Sequence, residues 1–258
     1  MTPELEETLV DGIATLTLNR PASRNALTAD ILFELAQAMP RLAQDPAVRL
    51  VVLTGKGGAF CAGGDVKGFA SRAADSSNAP TFEQSAQMLR ARMEVSRWLH
   101  EMPKPTLAVI SGPAAGAGLS LALACDMRIA ADDAKLTTAF SKVGLSGDFG
   151  GSYFLTQILG AAKAREMYFT AEVILGKEAA RIGLVNRSVP ADQLAQAAAD
   201  YARELASLPT IAVGYMKRNL NAAMQNSLSE VLDLEATHMI RTFATHDHKA
   251  AAQAFVEK

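Results

Sequence analysis

The segment Pro105–Cys125 contains no charged residue, and it is about as long as a membrane span. It also contains Gly112, Pro113, Gly116 and Gly118, which interrupt a continuous helix. We therefore interpret it as a buried strand, a tight turn and a buried helix, and not as a membrane helix. A chain with such a segment must enclose it on all sides, which requires a layered fold with a substantial core.

The order of a buried strand, a glycine turn and a helix occurs twice, at Leu50–Gly58 and at Leu107–Gly118. Strand–helix units dominate the first two thirds of the chain, and helical patterns dominate from Gly150 onward. The composition, 49% hydrophobic and 20% charged, supplies enough apolar material for one sizeable core. The sequence predicts an α/β fold.

Local signals set the bounds of several elements. Asp11-Gly12 between two alternating runs predicts a hairpin of Leu5–Val10 and Ile13–Leu18. Thr28 is expected to cap a helix that runs to about Leu42, and Phe82–His100 is expected to form one long helix. Beyond Gly150 we predict one strand, Leu184–Val189, and helices over 150–159, 162–169, 177–182, 191–206, 210–224, 227–243 and 247–256.

Charge and cysteine usage exclude several classes of partner. A formal net charge of −2 argues against sequence-independent binding to nucleic acid or to an anionic membrane surface. The acidic N-terminus has no apolar segment typical of a secretory signal. Only two cysteines are present, which fits a reducing compartment. We expect a cytoplasmic protein without nucleic-acid or membrane partners.

Two glycine-rich turns are candidates for a functional site. One covers residues 58–65 and the other residues 111–118, where Gly116 precedes a helix. Backbone N–H groups at a helix start have no partner within the helix, and two such turns that meet at one carbonyl oxygen would form an oxyanion hole. The alternative is that these glycines only permit close packing. The spacing of the second turn is not that of a dinucleotide fingerprint.

A third glycine-rich turn, Gly144–Ser152, contains Asp148. This aspartate either caps the following helix or forms a carboxylate at the floor of a pocket. In the second interpretation, loss of solvation would raise its pKa towards neutrality.

In this order and spacing, these segments resemble the enoyl-CoA hydratase/isomerase (crotonase) family. The resemblance extends over nearly the whole chain. The matching segments are 19–21, 24–27, 59–65, 104–106, 114–126, 183–186 and 254–258.

The resemblance implies a crotonase-like spiral of ββα units with a C-terminal helical region. Residues 1–200 would form the acyl-CoA-binding core, and residues 201–258 a helical oligomerisation region. Homotrimers or homohexamers are expected. The substrate would be an acyl-CoA thioester, with coenzyme A as part of the substrate and with no separate cofactor and no metal site.

The resemblance also assigns site residues. The backbone N–H groups of Gly64 and Ala117 would bind the thioester oxygen. The remaining substrate-binding positions follow the motifs: Arg24 and Ala26 at the adenine end of coenzyme A, Ala62, Asp65, Val66 and Lys67 along the pantetheine path, and Gly116 and Phe140 near the acyl group.

The chain departs from the hydratase pattern at two positions. Hydratases of the family resemble one another in two glutamates, and the matching positions here are Ser120 and Phe140. Neither side chain can transfer a proton, so ordinary hydration is put in doubt. Asp148 matches the catalytic aspartate of the isomerase-type branches, and a single carboxyl can move a proton between two carbons.

The resemblance thus implies an isomerase-type enzyme with Asp148 as acid and base. The alternatives are a hydratase that uses water activated by Asp148, a non-catalytic acyl-CoA-binding protein, and a thioester hydrolase or carbon–carbon lyase on the same fold.

Other ionisable residues have simpler interpretations. His100 is expected at the surface, and Asp126 is expected to orient backbone amides. For Lys56, Lys67, Lys217 and Arg218, contact with the phosphates of coenzyme A is one possibility and a solvated surface is the other.

Overall fold

The computed structural model describes residues 3–64 and 80–256, and the side chains of 251 and 254–256 are outside that description. The strands are β1 (Leu5–Val10), β2 (Ile13–Leu18), β3 (Leu50–Gly55), β4 (Thr106–Ile110), β5 (Ala114–Ala115), β6 (Met127–Ala131), β7 (Lys135–Thr137), β8 (Ile174–Leu175) and β9 (Arg187–Val189). The α-helices are α1 (Ala29–Gln44), α2 (Phe82–Arg92), α3 (Glu94–Glu101), α4 (Ala117–Ala124), α5 (Gly151–Thr170), α6 (Gly176–Arg181), α7 (Leu194–Ser207), α8 (Thr210–Ala223), α9 (Leu228–Phe243) and α10 (His246–Val256).

The main sheet has six strands in the order β1-β2-β3-β4-β6-β9. β1 and β2 form the predicted antiparallel hairpin, with Asp11 and Gly12 at positive φ in the turn. All other neighbours in this sheet are parallel. Parallel strands leave a sheet at the same edge, so the segments that follow β2, β3, β4 and β6 begin close together.

A second, smaller sheet stands beside the first, in the order β5-β7-β8. Along the chain, α4 comes between β5 of the second sheet and β6 of the first, and every one of its residues is buried. Thus the uncharged segment Pro105–Cys125 is indeed a strand, a turn and an enclosed helix. No helix among the described residues has the length and apolar character that crossing a bilayer requires.

The structure corrects two strand predictions. The predicted strand Leu184–Val189 is shorter, because β9 starts at Arg187 and Leu184 and Val185 are buried in the turn that follows α6. None of the strands of the smaller sheet, β5, β7 and β8, was predicted. Two or three residues are too few to show an alternating pattern, and β8 pairs with the distant β7.

Helix bounds differ from the prediction at breaks that tertiary contacts impose. Phe82–His100 is two helices, α2 and α3, that meet at Met93. The expected separation of two helices over 150–159 and 162–169 is confirmed, because a non-helical Gly160 (φ 78°, ψ 164°) interrupts α5. Thr28 caps α1 as predicted, since its side chain accepts from the Ile31 N–H.

The C-terminal third is helical, as expected. The proposed division at residue 200 stays a prediction, and α7 runs across that position. One side chain connects these helices to the core, because Lys217 on α8 is only 6% exposed and its Nζ lies 2.8 Å from the Asp126 Oδ2. The surface interpretation of Lys217 is therefore wrong, and so is a contact with coenzyme A phosphates, because its amino group is already enclosed.

Candidate active site

The turn after β3 is held directly against the turn after β4. The N–H groups of Phe60 and Cys61 both donate to the Pro113 carbonyl at 3.1 Å, and the Ala115 N–H donates to the Cys61 carbonyl at 2.9 Å. Gly63 has φ +93°, and a β-carbon on it would lie 2.8 Å from the Ala115 oxygen. Only glycine allows this approach without a shift of the backbone.

The second turn leads into the buried helix α4. Gly116 adopts φ 52° and ψ −126° before the first helical residue, Ala117. A β-carbon on Gly118 would lie 2.3 Å from the Cys61 oxygen, so the helix start touches the first turn. The close-packing interpretation of these glycines is thus correct, but it does not exclude a second role.

The backbone N–H groups of Gly64 and Ala117 have no acceptor within the part of the chain that the structure describes. A β-carbon built on Gly63 would lie 3.5 Å from the Ala117 nitrogen, which places the two turns side by side. The N-terminus of α4 also places its positive dipole end where the two turns meet. Two unpaired amides on adjoining turns are the elements from which an oxyanion hole is built.

The segment after β2 joins the same edge of the sheet. Arg24 is left-handed at φ 49°, its side chain is exposed, and its carbonyl accepts from the Ala62 N–H at 2.9 Å. Neighbouring Asn25 is fully buried and donates to the carbonyls of Lys56 and Ala59. The structure therefore brings Arg24, Ala26 and Ala62 together. Asp65, Val66 and Lys67 lie outside the described residues.

Asp148 lies in a turn of left-handed residues, with Gly147, Phe149 and Gly150 all at positive φ. Gly150 occupies the N-cap position of α5, and no side chain caps that helix, so the capping interpretation of Asp148 is wrong. The carboxyl is half-buried, and its Oδ1 is fully buried and has no hydrogen-bond partner among the residues that the structure describes. Burial raises the pKa of Asp148 to about 6, which agrees in direction with the expectation from its surroundings.

Phe140 links the Asp148 turn to the start of α4. Its ring lies 3.5 Å from a β-carbon built on Gly116 and 3.6 Å from one built on Gly147. The ring is buried, as is Ser120, whose hydroxyl donates to the Gly116 carbonyl at 3.2 Å. The two positions that match the hydratase glutamates thus hold a packed aromatic ring and a hydroxyl bonded to backbone.

Tyr168 is a residue of this site that sequence reasoning missed. Its ring stacks on Phe140 with centroids 5.9 Å apart and planes 18° apart. It lies on α5, on the far side of the Gly160 kink from Asp148. No periodic pattern crosses such a kink, so nothing in the sequence connected Tyr168 with the site.

The remaining ionisable candidates have structural partners. Asp126 accepts from the Thr106 N–H at 2.8 Å, so the prediction that it orients a backbone amide is confirmed. Lys56 pairs with Glu6 at the surface. His100 is half-buried and not at the surface as expected, because its ring packs against Tyr153 and Phe154, and burial lowers its pKa. Within the described residues, no group of three or more His, Cys, Asp or Glu side chains could hold a metal ion.

Comparison with known proteins identifies close relatives along the whole chain. The sequence profile described as Enoyl-CoA hydratase/isomerase matches residues 8–258. The chain is 35% identical over 255 residues to the crotonyl-CoA hydratase of Syntrophomonas wolfei subsp. wolfei, covering 96% of this chain and 93% of that protein. It is also 35% identical over 248 residues to the 1,2-epoxyphenylacetyl-CoA isomerase of Escherichia coli (strain K12), with the same coverage of 96% and 93%.

A solved structure agrees with these sequence matches. The fold is similar to the crystal structure of an enoyl-CoA hydratase from Polaromonas sp. JS666, with a TM-score of 0.90 and 33% sequence identity. The similarity covers 98% of this chain and 96% of that one. The expected crotonase-like architecture with a helical C-terminal region is therefore confirmed.

Proposed function

Because the chain belongs to the enoyl-CoA hydratase/isomerase family, we propose that it stabilises the enolate of an acyl-CoA thioester and shifts a double bond with Asp148 as its single acid and base. The observation that carries this proposal is the Asp148 carboxyl. It is half-buried, one of its oxygens has no hydrogen-bond partner in the described parts of the chain, and its pKa is raised to about 6. A carboxyl with such a pKa can both accept and return a proton near neutral pH.

The reaction begins with the thioester oxygen at the N–H groups of Gly64 and Ala117. The Asp148 carboxylate removes a proton from an acyl carbon, and the electrons of the broken C–H bond move towards the thioester oxygen. The two amides bind this oxygen more strongly as its charge grows. The protonated Asp148 then returns the proton to a different carbon, so one C–H bond breaks, another forms, and the double bond moves. The proposed reaction uses no metal and no cofactor, since coenzyme A is part of the substrate.

The other substrate contacts follow the same arrangement. Arg24 and Ala26 contact the adenine end of coenzyme A, and Ala62 lies on the pantetheine path together with residues 65–67. This assignment is supported by the 2.9 Å hydrogen bond from the Ala62 N–H to the Arg24 carbonyl, which joins the two segments. Gly116 and Phe140 border the acyl end.

Water addition is the second candidate activity. The similarity to a crotonyl-CoA hydratase favours it, and the unpartnered Asp148 oxygen could hold a water molecule. Against it stand Ser120 and Phe140, because neither the bonded hydroxyl nor the aromatic ring can act as a second proton carrier. An acyl-CoA-binding protein without turnover is the third candidate.

The variant Asp148→Asn tests the proposal, since it keeps the shape of the side chain and removes its base. We expect acyl-CoA binding to persist and double-bond migration to stop, measured as the change in enone absorbance with 3-enoyl-CoA substrates. Asp133→Asn, at an exposed aspartate, is the matched control and should keep full activity. Crotonyl-CoA in a parallel assay reports water addition, and assay of free coenzyme A reports hydrolysis.

Full migration activity in Asp148→Asn would contradict the proposed mechanism. Binding without turnover of any acyl-CoA by the unmodified protein would instead favour the non-catalytic candidate.

Assembly and compartment belong to the same proposal. The chain forms a homotrimer or homohexamer through its C-terminal helices, an idea supported by the large apolar side chains that α8 and α9 leave exposed. The protein acts in the cytoplasm, where its two buried free thiols, Cys61 and Cys125, stay reduced.

A further inference from the structure

Two buried polar atoms at the candidate active site lack hydrogen-bond partners among the described residues. They are the Asp148 Oδ1 and the Tyr168 hydroxyl. Buried polar atoms in folded proteins are nearly always satisfied, and an unsatisfied one costs about 1–3 kcal/mol. Two such atoms at one site indicate that a bound molecule supplies the missing partner.

The Tyr168 hydroxyl packs closely against the turn that carries Asp148. A β-carbon built on Gly151 would lie 2.6 Å from this hydroxyl and 2.3 Å from the Ser120 Oγ, and one on Gly147 would lie 3.3 Å from the hydroxyl. Gly147 immediately precedes Asp148, and the Gly151 N–H donates to the Asp148 carbonyl at 3.1 Å. The charge of the Asp148 carboxylate also raises the pKa of Tyr168, so the phenol and the carboxyl are neighbours.

Tyr168 is fixed in orientation. Its ring stacks on Phe140, and Phe140 in turn packs against the turns of Gly116 and Gly147. A fixed aromatic ring places its hydroxyl at a defined point with little loss of side-chain entropy on binding. This is the property of a group that recognises one atom of a ligand.

The two groups have opposite hydrogen-bonding roles. Burial, together with the negative charge of Asp148, raises the pKa of Tyr168 to about 12. The Ser152 hydroxyl is near enough to offset part of the rise, but it lies outside hydrogen-bonding geometry. The phenol is therefore neutral and acts as a donor, whereas the ionised carboxylate only accepts. One O–H group satisfies both, since it can accept from Tyr168 and donate to Asp148.

We propose that Tyr168 and Asp148 form a subsite for one oxygen atom on the acyl chain, and that Tyr168 makes the site prefer oxygenated acyl thioesters to hydrocarbon ones of the same length. This inference rests on the proposed function, because it assumes that the acyl group of a coenzyme A thioester lies beside Asp148. The oxygen belongs to the acyl chain. The alternative is a water molecule at the same position, and the experiment distinguishes it from an oxygen atom of the acyl chain.

The test compares the dissociation constants of butyryl-CoA, 4-hydroxybutyryl-CoA and both epimers of 3-hydroxybutyryl-CoA. The unmodified protein should bind at least one hydroxylated thioester about tenfold more tightly than butyryl-CoA. Tyr168→Phe, which keeps the ring and its stacking, should abolish this difference and leave butyryl-CoA binding unchanged. Chromatography after each titration verifies that the ligand is intact.

Tyr215→Phe is the matched control. It removes a hydroxyl group from α8, a helix that contributes no residue to the candidate site, so it should change none of these dissociation constants. Equal effects of Tyr168→Phe on butyryl-CoA and on the hydroxylated thioesters would overturn the inference. The inference would also be overturned if the unmodified protein showed no preference for the hydroxylated thioesters. If, in that case, Tyr168→Phe slowed water addition to crotonyl-CoA, the bound O–H group would be that of a water molecule.

These results also separate the inference from the proposed function. If butyryl-CoA and the hydroxylated thioesters bind equally well, only the oxygen subsite is wrong. If no acyl-CoA binds at all, the proposed function fails, and the subsite fails with it.

Discussion

At Asp148, burial makes the charged form of a carboxyl less stable, and no nearby cation compensates for it in the described part of the chain. The only cause of its raised pKa is the loss of solvation. In the proposed reaction this is useful, because a carboxylate with a pKa near 6 is a stronger base than an exposed aspartate and is still ionised at neutral pH.

We expect kcat/KM to rise with pH through a single ionisation near pH 6, because only the ionised Asp148 can remove a proton. The measurement is the rate of double-bond migration from about pH 4.5 to 8. Burial lowers the pKa of His100 from its ordinary value of 6.5, so the profile is repeated in His100→Gln to remove this second ionisable group. A midpoint near pH 4 would contradict the assignment of Asp148 as the base.

The same pKa has a consequence for stability that serves as an independent check. The pKa of Asp148 is about 6 in the folded protein, against an ordinary value of 3.8. Between these two values the folded chain binds more protons than the unfolded chain, so the contribution of Asp148 to the free energy of unfolding falls as pH rises. The melting temperature of Asp148→Asn should therefore increase relative to the unmodified protein between about pH 4 and pH 7.

Individual residues also show which parts of the candidate site could be predicted from the sequence and which could not. The role of Asp148 in a glycine-rich turn could be proposed because its chemistry is carried by adjacent positions in the chain. Tyr168 and Lys217 could not be placed in this way. Their partners, Phe140 and Asp126, are far away in sequence, and only the folded chain brings them together.

Among the elements, α4 has the most direct part in the proposed chemistry. It is buried along its whole length, and its first N–H group is one of the two proposed oxyanion donors. Its start and end were predictable from Gly116 and from the loss of the apolar run after Ala124. The interruption at Gly160 was also predictable, but the break at Met93 was not, because no glycine or proline marks it in the sequence.

Ala117→Pro replaces the hydrogen of this N–H group with a ring carbon, and proline suits the first position of a helix. We expect kcat to fall by about 10²–10³-fold, which is the effect of losing one oxyanion donor. Ala29→Pro places a proline at the first position of α1, an exposed site, and should leave kcat unchanged. Circular dichroism and a thermal melt verify that both variants fold. Unaltered kcat in a folded Ala117→Pro would mean that this amide does not bind the oxyanion.

Viewed as a whole, the single chain leaves a set of large apolar side chains in contact with solvent on its C-terminal helices. Those on α8 and α9 are Ile211, Met216, Leu220, Leu228, Leu232, Met239, Ile240 and Phe243. Exposed apolar surface of this kind is typical of a subunit interface. The fold class could be predicted from the sequence, but which apolar side chains would remain uncovered could not.

We expect light scattering coupled to gel filtration to give three or six times the mass of one chain. Ile240→Glu, at a position 68% exposed on α9, should reduce this mass, because a charge would be buried in the interface. Phe33→Glu, at a position 67% exposed on α1, is the control and should leave the mass unchanged. A monomeric unmodified protein would show that the exposed apolar side chains do not join copies of the chain.

Lys217 ties the last helices to the centre of the molecule. Its amino group reaches the carbonyl oxygens of Leu99 and Lys104 as well as Asp126, and Asp126 follows α4 by only two residues. A chain shortened to end near residue 200 would therefore lose a buried side chain that contacts the core. It would carry the Asp126 carboxylate without its counter-ion at the C-terminal end of α4, the helix whose first N–H group is proposed to bind the thioester oxygen.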